Sequence, residues 1–117
     1  MRRPVLIVED DDAAREALAA FLEAEGYPVR EAANGREALE RAQEGVGAIL
    51  LDIMMPIMDG WEFRALQLRD PTLAAIPVMV ITADGSARER AACLGLEDYM
   101  TKPIQFPRLL QFVGRYC

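Results

Sequence analysis

The sequence predicts an α/β fold of the (βα)5 type, in which helices cover both faces of one doubly wound sheet of five parallel strands. Short apolar runs alternate five times with segments of helical periodicity, a pattern typical of βαβ units. The chain has 117 residues, so a single domain over residues 1–117 is expected. Right-handed crossovers leave few arrangements of five such strands, and the strand order 2-1-3-4-5 is the commoner one.

The predicted elements alternate strictly, each strand being followed by a helix. Their expected bounds are residues 4–9, 11–25, 28–32, 34–45, 48–53, 60–69, 76–83, 86–95, 98–102 and 106–116. The strand segments are short apolar runs rich in β-branched residues, which is typical of strands buried on both faces of a parallel sheet. Pro28 opens the weaker second strand, where a missing N–H does no harm.

Capping residues and glycines mark the ends of the helices. Asp59 with Glu62, and Ser86 with Glu89, have the spacing of capping boxes, so they predict where the third and fourth helices begin. Three of the helices are expected to stop at a glycine, because glycine adopts the left-handed conformation of a C-cap: Gly26, Gly45 and Gly95.

Composition excludes several classes of protein. The net charge is −6 and the pI is about 4.6, so nucleic acid is not bound through a general positive field, and no direct binding of nucleic acid is expected. The chain has no histidine, which excludes Ser–His and Cys–His catalysis and zinc held by histidine. No apolar run approaches the roughly 20 residues that cross a bilayer, so no membrane association is expected.

The two cysteines do not form a disulfide framework. Cys93 falls in an apolar helical pattern and is predicted to be a small core residue, and Cys117 is the last residue. Free thiols are typical of a reducing compartment. With no segment typical of a signal peptide, a cytoplasmic location is expected.

The residues capable of chemistry follow the strands at one edge of the predicted sheet. Glu9 and Asp10 end the first strand, Asp52 ends the third, Thr82 ends the fourth, and Lys102, the only lysine, ends the fifth. Ligand sites in such sheets gather at the carboxyl ends of the strands, where the strand order reverses. We therefore expect these five side chains to converge.

This group of side chains suits phosphoryl chemistry with a hard cation. Clustered carboxylates repel one another and keep their protons unless a cation is present, and a donor set of oxygens alone favours Mg²⁺. A carboxylate can attack phosphorus and form an aspartyl phosphate. A lysine and a hydroxyl would then contact the transferred group and neutralise its charge.

Structural roles compete with these functional ones. Asp11 and Asp12 are predicted to be helix caps and dipole partners rather than ligands, and Glu9 and Asp10 could also serve the start of the helix. Asp52 is different, because it follows a buried apolar run where an unpaired carboxylate is costly. Considered alone, Thr82 suits any strand, and Lys102 could be an ordinary surface residue.

In register across the five βα units, four segments resemble the response-regulator receiver domain of two-component signalling. They are Glu9-Asp10 after VLIV, the segment LLDIMMPIMDG, the segment VITA, and Asp98-Tyr99-Met100-Thr101-Lys102-Pro103. The resemblance covers essentially the whole chain and implies a flavodoxin-like fold.

The resemblance also implies a role for each site residue. Asp52 is the implied phosphoacceptor, Thr82 and Lys102 contact the phosphoryl group, and Tyr99 is the aromatic switch that moves with Thr82. A cis peptide bond is expected before Pro103. The implied Mg²⁺ ligands, for which Mn²⁺ is a possible substitute, are Asp10, Asp52, Glu9 through water and the backbone carbonyl of Met54.

The resemblance implies that the chain is a phosphoacceptor signalling domain. Such a domain assists its own Mg²⁺-dependent phosphorylation and dephosphorylation but is not otherwise an enzyme. The donor is a sensor histidine kinase or a phosphotransfer protein. An unknown output protein would bind the face formed by the fourth predicted helix, the fifth strand and the last helix. A monomer or weak dimer is expected. The alternative is a receiver-like interaction module that works without phosphorylation.

Two other classes fit the residues less well. A phosphatase of the haloacid dehalogenase type needs a second aspartate two residues after the nucleophile, where this chain has Met54. A nucleotide-binding domain needs a glycine-rich phosphate loop after the first strand, and neither of its usual motifs is present.

Overall fold

All five predicted strands and all five predicted helices are present in the computed structural model, which describes residues 2–53, 59–83 and 85–117. The strands are β1 Val5–Val8, β2 Val29–Ala32, β3 Ala48–Asp52, β4 Val78–Thr82 and β5 Asp98–Thr101. The helices are α1 Asp12–Ala24, α2 Gly35–Ala42, α3 Gly60–Arg69, α4 Pro71–Ala74, α5 Ala87–Cys93 and α6 Phe106–Tyr116.

The strands form one parallel sheet in the order β2-β1-β3-β4-β5, which confirms the predicted order. Its register decides where the site residues lie. Val8 pairs with Leu51, Asp52 pairs with Ile81, and Thr82 pairs with Thr101. The chain therefore leaves β1, β3, β4 and β5 at nearly the same level of the sheet, so the residues at these four ends are brought to one edge.

Alternate side chains of the strands build a core on each face of the sheet. Ile7, Leu50 and Ile81 belong to a cluster that includes residues of α1 and α6. Leu6 and Leu51 belong to a second cluster that includes residues of α2 and α3. Nearly every strand residue of β1, β3 and β4 is less than 5% exposed, as predicted for strands covered on both faces. The sheet is therefore a rigid support for its carboxyl edge.

The short helix α4 was not predicted. Pro71, which lies just beyond the end of α3, opens this extra turn, because proline fits the first helical position and the Asp70 carboxylate accepts from the N–H of Thr72 at 2.9 Å. Buried Leu73 anchors this turn. A single turn carries no periodic signal, so its sequence looks like a loop.

Two local predictions about α5 are wrong. Ser86 does not cap the backbone of the helix with its side chain; instead its hydroxyl accepts a hydrogen bond from Nε of Arg90 at 2.9 Å. Cys93 is exposed rather than part of the core, because Ala87 and Ala91 form the buried face of this short helix. The predicted cap at Asp59 is confirmed, with its carboxylate accepting from the N–H of Glu62 at 3.0 Å.

Within the described residues, no helix has the length and apolar character needed to cross a membrane.

Candidate functional site

The loop from β1 to α1 presents two acidic side chains in different environments. Glu9 is 7% exposed, whereas Asp10 is exposed. Asp11 is the N-cap of α1 and accepts from the N–H of Ala14 at 3.2 Å, which confirms the structural role predicted for it. The cap leaves Glu9 and Asp10 as the acidic pair available to the site.

Lys102 reaches the same edge from the end of β5. Its backbone N–H donates to the carbonyl of Thr82 at 2.8 Å, so the chain stays paired with β4 one residue beyond the strand. The bond from Lys102 to Pro103 is cis, as predicted. The ammonium Nζ lies 2.5 Å from Oε1 of Glu9 and 3.8 Å from Oδ2 of Asp52. One lysine is thus shared between two carboxylates that come from different strands.

Three carboxylates lie close enough together to hold a cation. Glu9, Asp10 and Asp52 each offer an oxygen, and these oxygens lie within 4.8 Å of one another. The donors are all oxygen, with neither sulfur nor imidazole, which is the set that Mg²⁺ prefers. Met54, whose backbone carbonyl was predicted to be a further ligand, lies outside the described residues.

The electrostatics of Glu9 and Asp10 differ because their partners differ. Burial alone would raise the pKa of Glu9, but hydrogen bonds with Asp52 and Lys102 outweigh it and lower the pKa to about 2. The pKa of Asp10 is raised, first by burial and then by the adjacent Glu9. Burial would lower the pKa of Lys102, yet its bond to Glu9 raises it. The ion pair is therefore stable, and the remaining negative charge of the cluster favours an added cation.

Thr82 and Tyr99 lie on the two strands next to the cluster. Thr82 is 2% exposed and is adjacent to Ile81, the register partner of Asp52. Tyr99 pairs with Val80 in register and is half-buried against a cluster that includes Ile53. Thr82 is therefore next to the end of β3 on the adjacent strand, and Tyr99 packs against a cluster that includes Ala91 of α5.

Arg15 is a contributor to the site that the sequence analysis missed. Arg15 is the fourth residue of α1. Its guanidinium donates to the backbone carbonyl of Glu9 at 2.9 Å, to Asp12 at 2.7 Å and to Glu31 at 3.2 Å. It thereby joins α1, the end of β1 and β2. The only signal in the sequence is the spacing of Asp12 and Arg15 on one helix face, and such pairs are common on surfaces.

A mostly apolar cavity of about 190 Å³ opens beside the acidic cluster. Glu9, Asp52 and Lys102 supply its charged lining. The remaining lining comes from strand side chains, from α1, and from the segment after β5. The cavity has no signal in the sequence, because the residues that line it are far apart in the chain.

Comparisons with known proteins agree with this geometry. Residues 5–114 match the family model described as the response regulator receiver domain. The chain is 44% identical over 109 residues to the response regulator MprA of Mycolicibacterium vanbaalenii, and 44% identical over 109 residues to that of Mycobacterium leprae. These alignments cover 91% of this chain but only 46% and 47% of the relatives, so the chain spans less than half the length of the curated relatives.

Solved structures of similar shape lead to the same family. The chemotaxis response regulator CheY4 of Vibrio cholerae superposes with a TM-score of 0.85 at 30% identity, covering 98% of both chains. The receiver domain of the sensor histidine kinase PA1611 of Pseudomonas aeruginosa, solved with a magnesium ion coordinated in its active-site cleft, superposes with a TM-score of 0.87 at 27% identity, covering 99% of this chain and 98% of that one. The fold, the acidic edge and the family match together identify the chain as a member of the response regulator receiver domain family.

Proposed function

We propose that Asp52 accepts a phosphoryl group from a sensor histidine kinase or a phosphotransfer protein. The observation that carries this proposal is the position of Asp52, 3.8 Å from the Lys102 ammonium and within 4.8 Å of two further carboxylates. A carboxylate oxygen of Asp52 attacks the phosphorus of a phosphohistidine, so that a P–O bond forms and the P–N bond breaks. The imidazole nitrogen leaves with the electron pair of that bond. The chain has no histidine of its own, which agrees with a donor on another protein.

Asp10 and Asp52 would hold Mg²⁺ directly and Glu9 would act through a water molecule, with the carbonyl of Met54 completing the protein ligands. The all-oxygen donor set fits this ion, and Mn²⁺ accepts the same donors. When bound, the ion offsets the charge of the phosphoryl oxygens and that of the crowded carboxylates.

Lys102 and Thr82 would contact the transferred phosphoryl group and donate hydrogen bonds to its oxygens. Lys102 is paired with Glu9 and shared with Asp52, so its charge is already at the carboxylate that becomes phosphorylated. New phosphoryl oxygens offer it a stronger partner than Asp52 alone. The hydroxyl of Thr82, on the adjacent strand, is the second donor in this proposal.

Phosphorylation would change partner binding through Thr82, Tyr99 and the face formed by α5, β5 and α6. Tyr99 already packs between β5 and residues of α5, so a movement of its ring alters the surface on which α5 rests. The domain thus acts as a switch between two populations rather than as an enzyme on a separate substrate, although it assists its own phosphorylation and dephosphorylation. We further propose that an unidentified output protein binds this face and that the domain is a monomer or a weak dimer.

Intact mass spectrometry after incubation with acetyl phosphate and Mg²⁺ tests the proposal. A gain of about 80 Da is expected for the phosphorylated chain, and it should disappear in Asp52→Asn. Asp70→Asn is the matched control, because it removes a carboxylate at a helix cap where asparagine also caps. If the folded chain gains no mass with Mg²⁺ present, the phosphoacceptor assignment is wrong and a module that works without phosphate is favoured.

A further inference from the structure

The carboxyl end of α5 is held by a side chain of α3. Nε of Arg64 donates to the backbone carbonyl of Leu94, the C-cap of α5, at 3.1 Å. The last carbonyls of a helix have no partner within the helix, and a cation at this end also matches the sign of the helix dipole. Arg64 therefore caps α5 from a neighbouring helix, 30 residues earlier in the chain.

The same guanidinium is bonded to a buried amide. Nη1 of Arg64 donates to Oε1 of Gln67 at 2.9 Å. Gln67 is fully buried, and it donates in turn to the carbonyls of Leu73 and Ile76 at 2.8 and 3.2 Å. Leu73 belongs to α4, and Ile76 lies just before β4. A continuous row of hydrogen bonds thus runs from the entry to β4, through α3, to the end of α5.

The bond to Leu94 is a partly buried contact with a charged donor. The Arg64 side chain is half-buried, burial lowers its pKa, and both of its acceptors are neutral oxygens. Hydrogen bonds with one charged partner are stronger than those between neutral groups. Leu94 itself is buried in a cluster with Val80 and Ala91. Arg64 therefore restrains the end of α5 more firmly than an exposed contact would.

The two ends of α5 lie at opposite edges of the sheet. α5 begins at Ala87, a few residues after Thr82, which ends β4 at the acidic edge. It ends at Cys93, and the chain then turns at Gly95, where φ is +72°, toward the start of β5. The amino end is therefore the end connected to the site, and the carboxyl end is the one that Arg64 restrains.

We propose that Arg64 is a positioning residue of the face formed by α5, β5 and α6, which fixes the carboxyl end of α5 so that the helix pivots about Leu94. A change at Thr82 would then displace the amino end of α5 and leave its carboxyl end in place. The pivoting rests on the proposed function, whereas the restraint by Arg64 does not.

Amide hydrogen exchange of the metal-free chain, measured by NMR, tests the restraint. The N–H groups of Leu94, Gly95 and Leu96 close the end of α5 through bonds to the carbonyls of residues 90–92. Arg64→Met keeps the stem but removes the donors, so these three amides should exchange about tenfold faster. Unchanged exchange at all three would overturn the restraint.

Matched variants show whether the effect is local. Arg69→Met removes an exposed arginine from the same helix and should leave the three amides unchanged. Arg64→Lys keeps the charge and a donor, so it should speed exchange less than Arg64→Met. The amide of Leu109 in α6, bonded to the carbonyl of Gln105, reports on the domain as a whole. If Arg64→Met and Arg64→Lys speed it as much as the α5 amides, or if Arg69→Met acts like Arg64→Met, the local restraint is refuted.

Distances between spin labels test the pivot. One label is attached at Ala17→Cys, an exposed position of α1. The second is attached either to Cys93, at the carboxyl end of α5, or at Arg88→Cys near its amino end, both of them exposed, with every other cysteine changed to serine. With acetyl phosphate and Mg²⁺, the distance to position 88 should change by about 2 Å, the size of helix shifts in switching proteins. The distance to position 93 should stay the same, whereas in Arg64→Met both should change.

Intact mass, recorded on the same samples, separates the pivot from the proposed function. Equal changes at positions 88 and 93 in the chain with Arg64 intact would overturn the pivot, and so would no change at either position once the mass shows phosphorylation. Without the gain of about 80 Da the proposed function fails, and the pivot fails with it. The exchange experiment uses neither Mg²⁺ nor phosphate, so it decides the restraint by Arg64 in either case.

Discussion

The Nη1 group of Arg15 donates a hydrogen bond to the backbone carbonyl of Glu9 at 2.9 Å. The Arg15 side chain is only 13% exposed, and its guanidinium is itself held by Asp12 and Glu31. It therefore restrains the backbone at the end of β1, just before Asp10. A charged residue outside the acidic cluster thus supports the loop that presents two of its carboxylates.

Loss of Arg15 should weaken Mg²⁺ binding. Arg15→Gln removes the donor to Glu9 and frees the loop, and groups that orient metal ligands typically contribute at least tenfold in affinity, so a fall of about tenfold is expected. Isothermal titration with Mg²⁺ measures it. Glu31→Gln is the control, because it removes one ion pair of Arg15 but keeps the bond to the carbonyl. If both variants bind Mg²⁺ like the parent chain, Arg15 has no positioning role.

Acid should destabilise the metal-free domain through Glu9. Its pKa is lowered from 4.5 to about 2, so between these pH values the unfolded chain binds more protons than the folded chain. The free energy of unfolding contributed by Glu9 is therefore complete above pH 4.5 and is lost as the pH falls toward 2.

Urea denaturation between about pH 6 and about pH 3, a range that crosses the ordinary pKa of 4.5 and ends above the shifted pKa of about 2, measures the first part of this loss. Glu9→Gln should show a smaller fall in stability across that range than the parent chain. Glu16→Gln, an exposed carboxyl on α1, is the control and should follow the parent. Parallel curves for the parent chain and Glu9→Gln would contradict the role assigned to the bond with Lys102.

Gln67 should be a major contributor to stability. Its side chain is fully buried, donates to the carbonyls of Leu73 and Ile76 at 2.8 and 3.2 Å, and accepts from Arg64 at 2.9 Å. Gln67→Leu keeps most of the volume but leaves these carbonyls without that donor, which should cost about 2–4 kcal/mol.

Denaturation in urea measures this cost. Gln111→Ala, on the exposed side of α6, should change stability by less than about 0.5 kcal/mol. A change in Gln67→Leu no larger than that in the control would show that α4 does not depend on the buried amide.

The two cysteines should differ in reactivity, since Cys93 is exposed and Cys117 is half-buried. Burial raises the pKa of the Cys117 thiol to about 11, so its reactive thiolate is scarce at pH 8. Iodoacetamide should modify Cys93 in the folded chain and Cys117 only after unfolding, as read by peptide mass spectrometry. Cys93→Ser should then remain unmodified while folded. Rapid modification of Cys117 in that variant would contradict its burial.

Much of the fold was predictable because its signals are local. A buried parallel strand needs a short run of apolar side chains, and the segments around Leu6, Leu50 and Val80 provide such runs. The position of Asp52 at the end of β3 was predictable for the same reason, since it ends such a run. The starts of the helices were harder to predict. The cap at Asp59 forms, whereas the Ser86 hydroxyl accepts from Arg90 instead, because backbone groups and other side chains compete for the same polar side chain at similar energy.

By itself the sequence determined the order of the elements, the parallel sheet and the set of acidic and basic residues that follow its strands. Only the tertiary structure decided that the Lys102 ammonium lies closer to the Glu9 carboxylate than to the Asp52 carboxylate. It also decided that Arg15 donates to the carbonyl of Glu9 and that an apolar cavity opens beside these residues. The physical reason is distance along the chain. Periodicity and caps act within a few residues, whereas these contacts depend on how separate strands and helices pack, which no local pattern encodes.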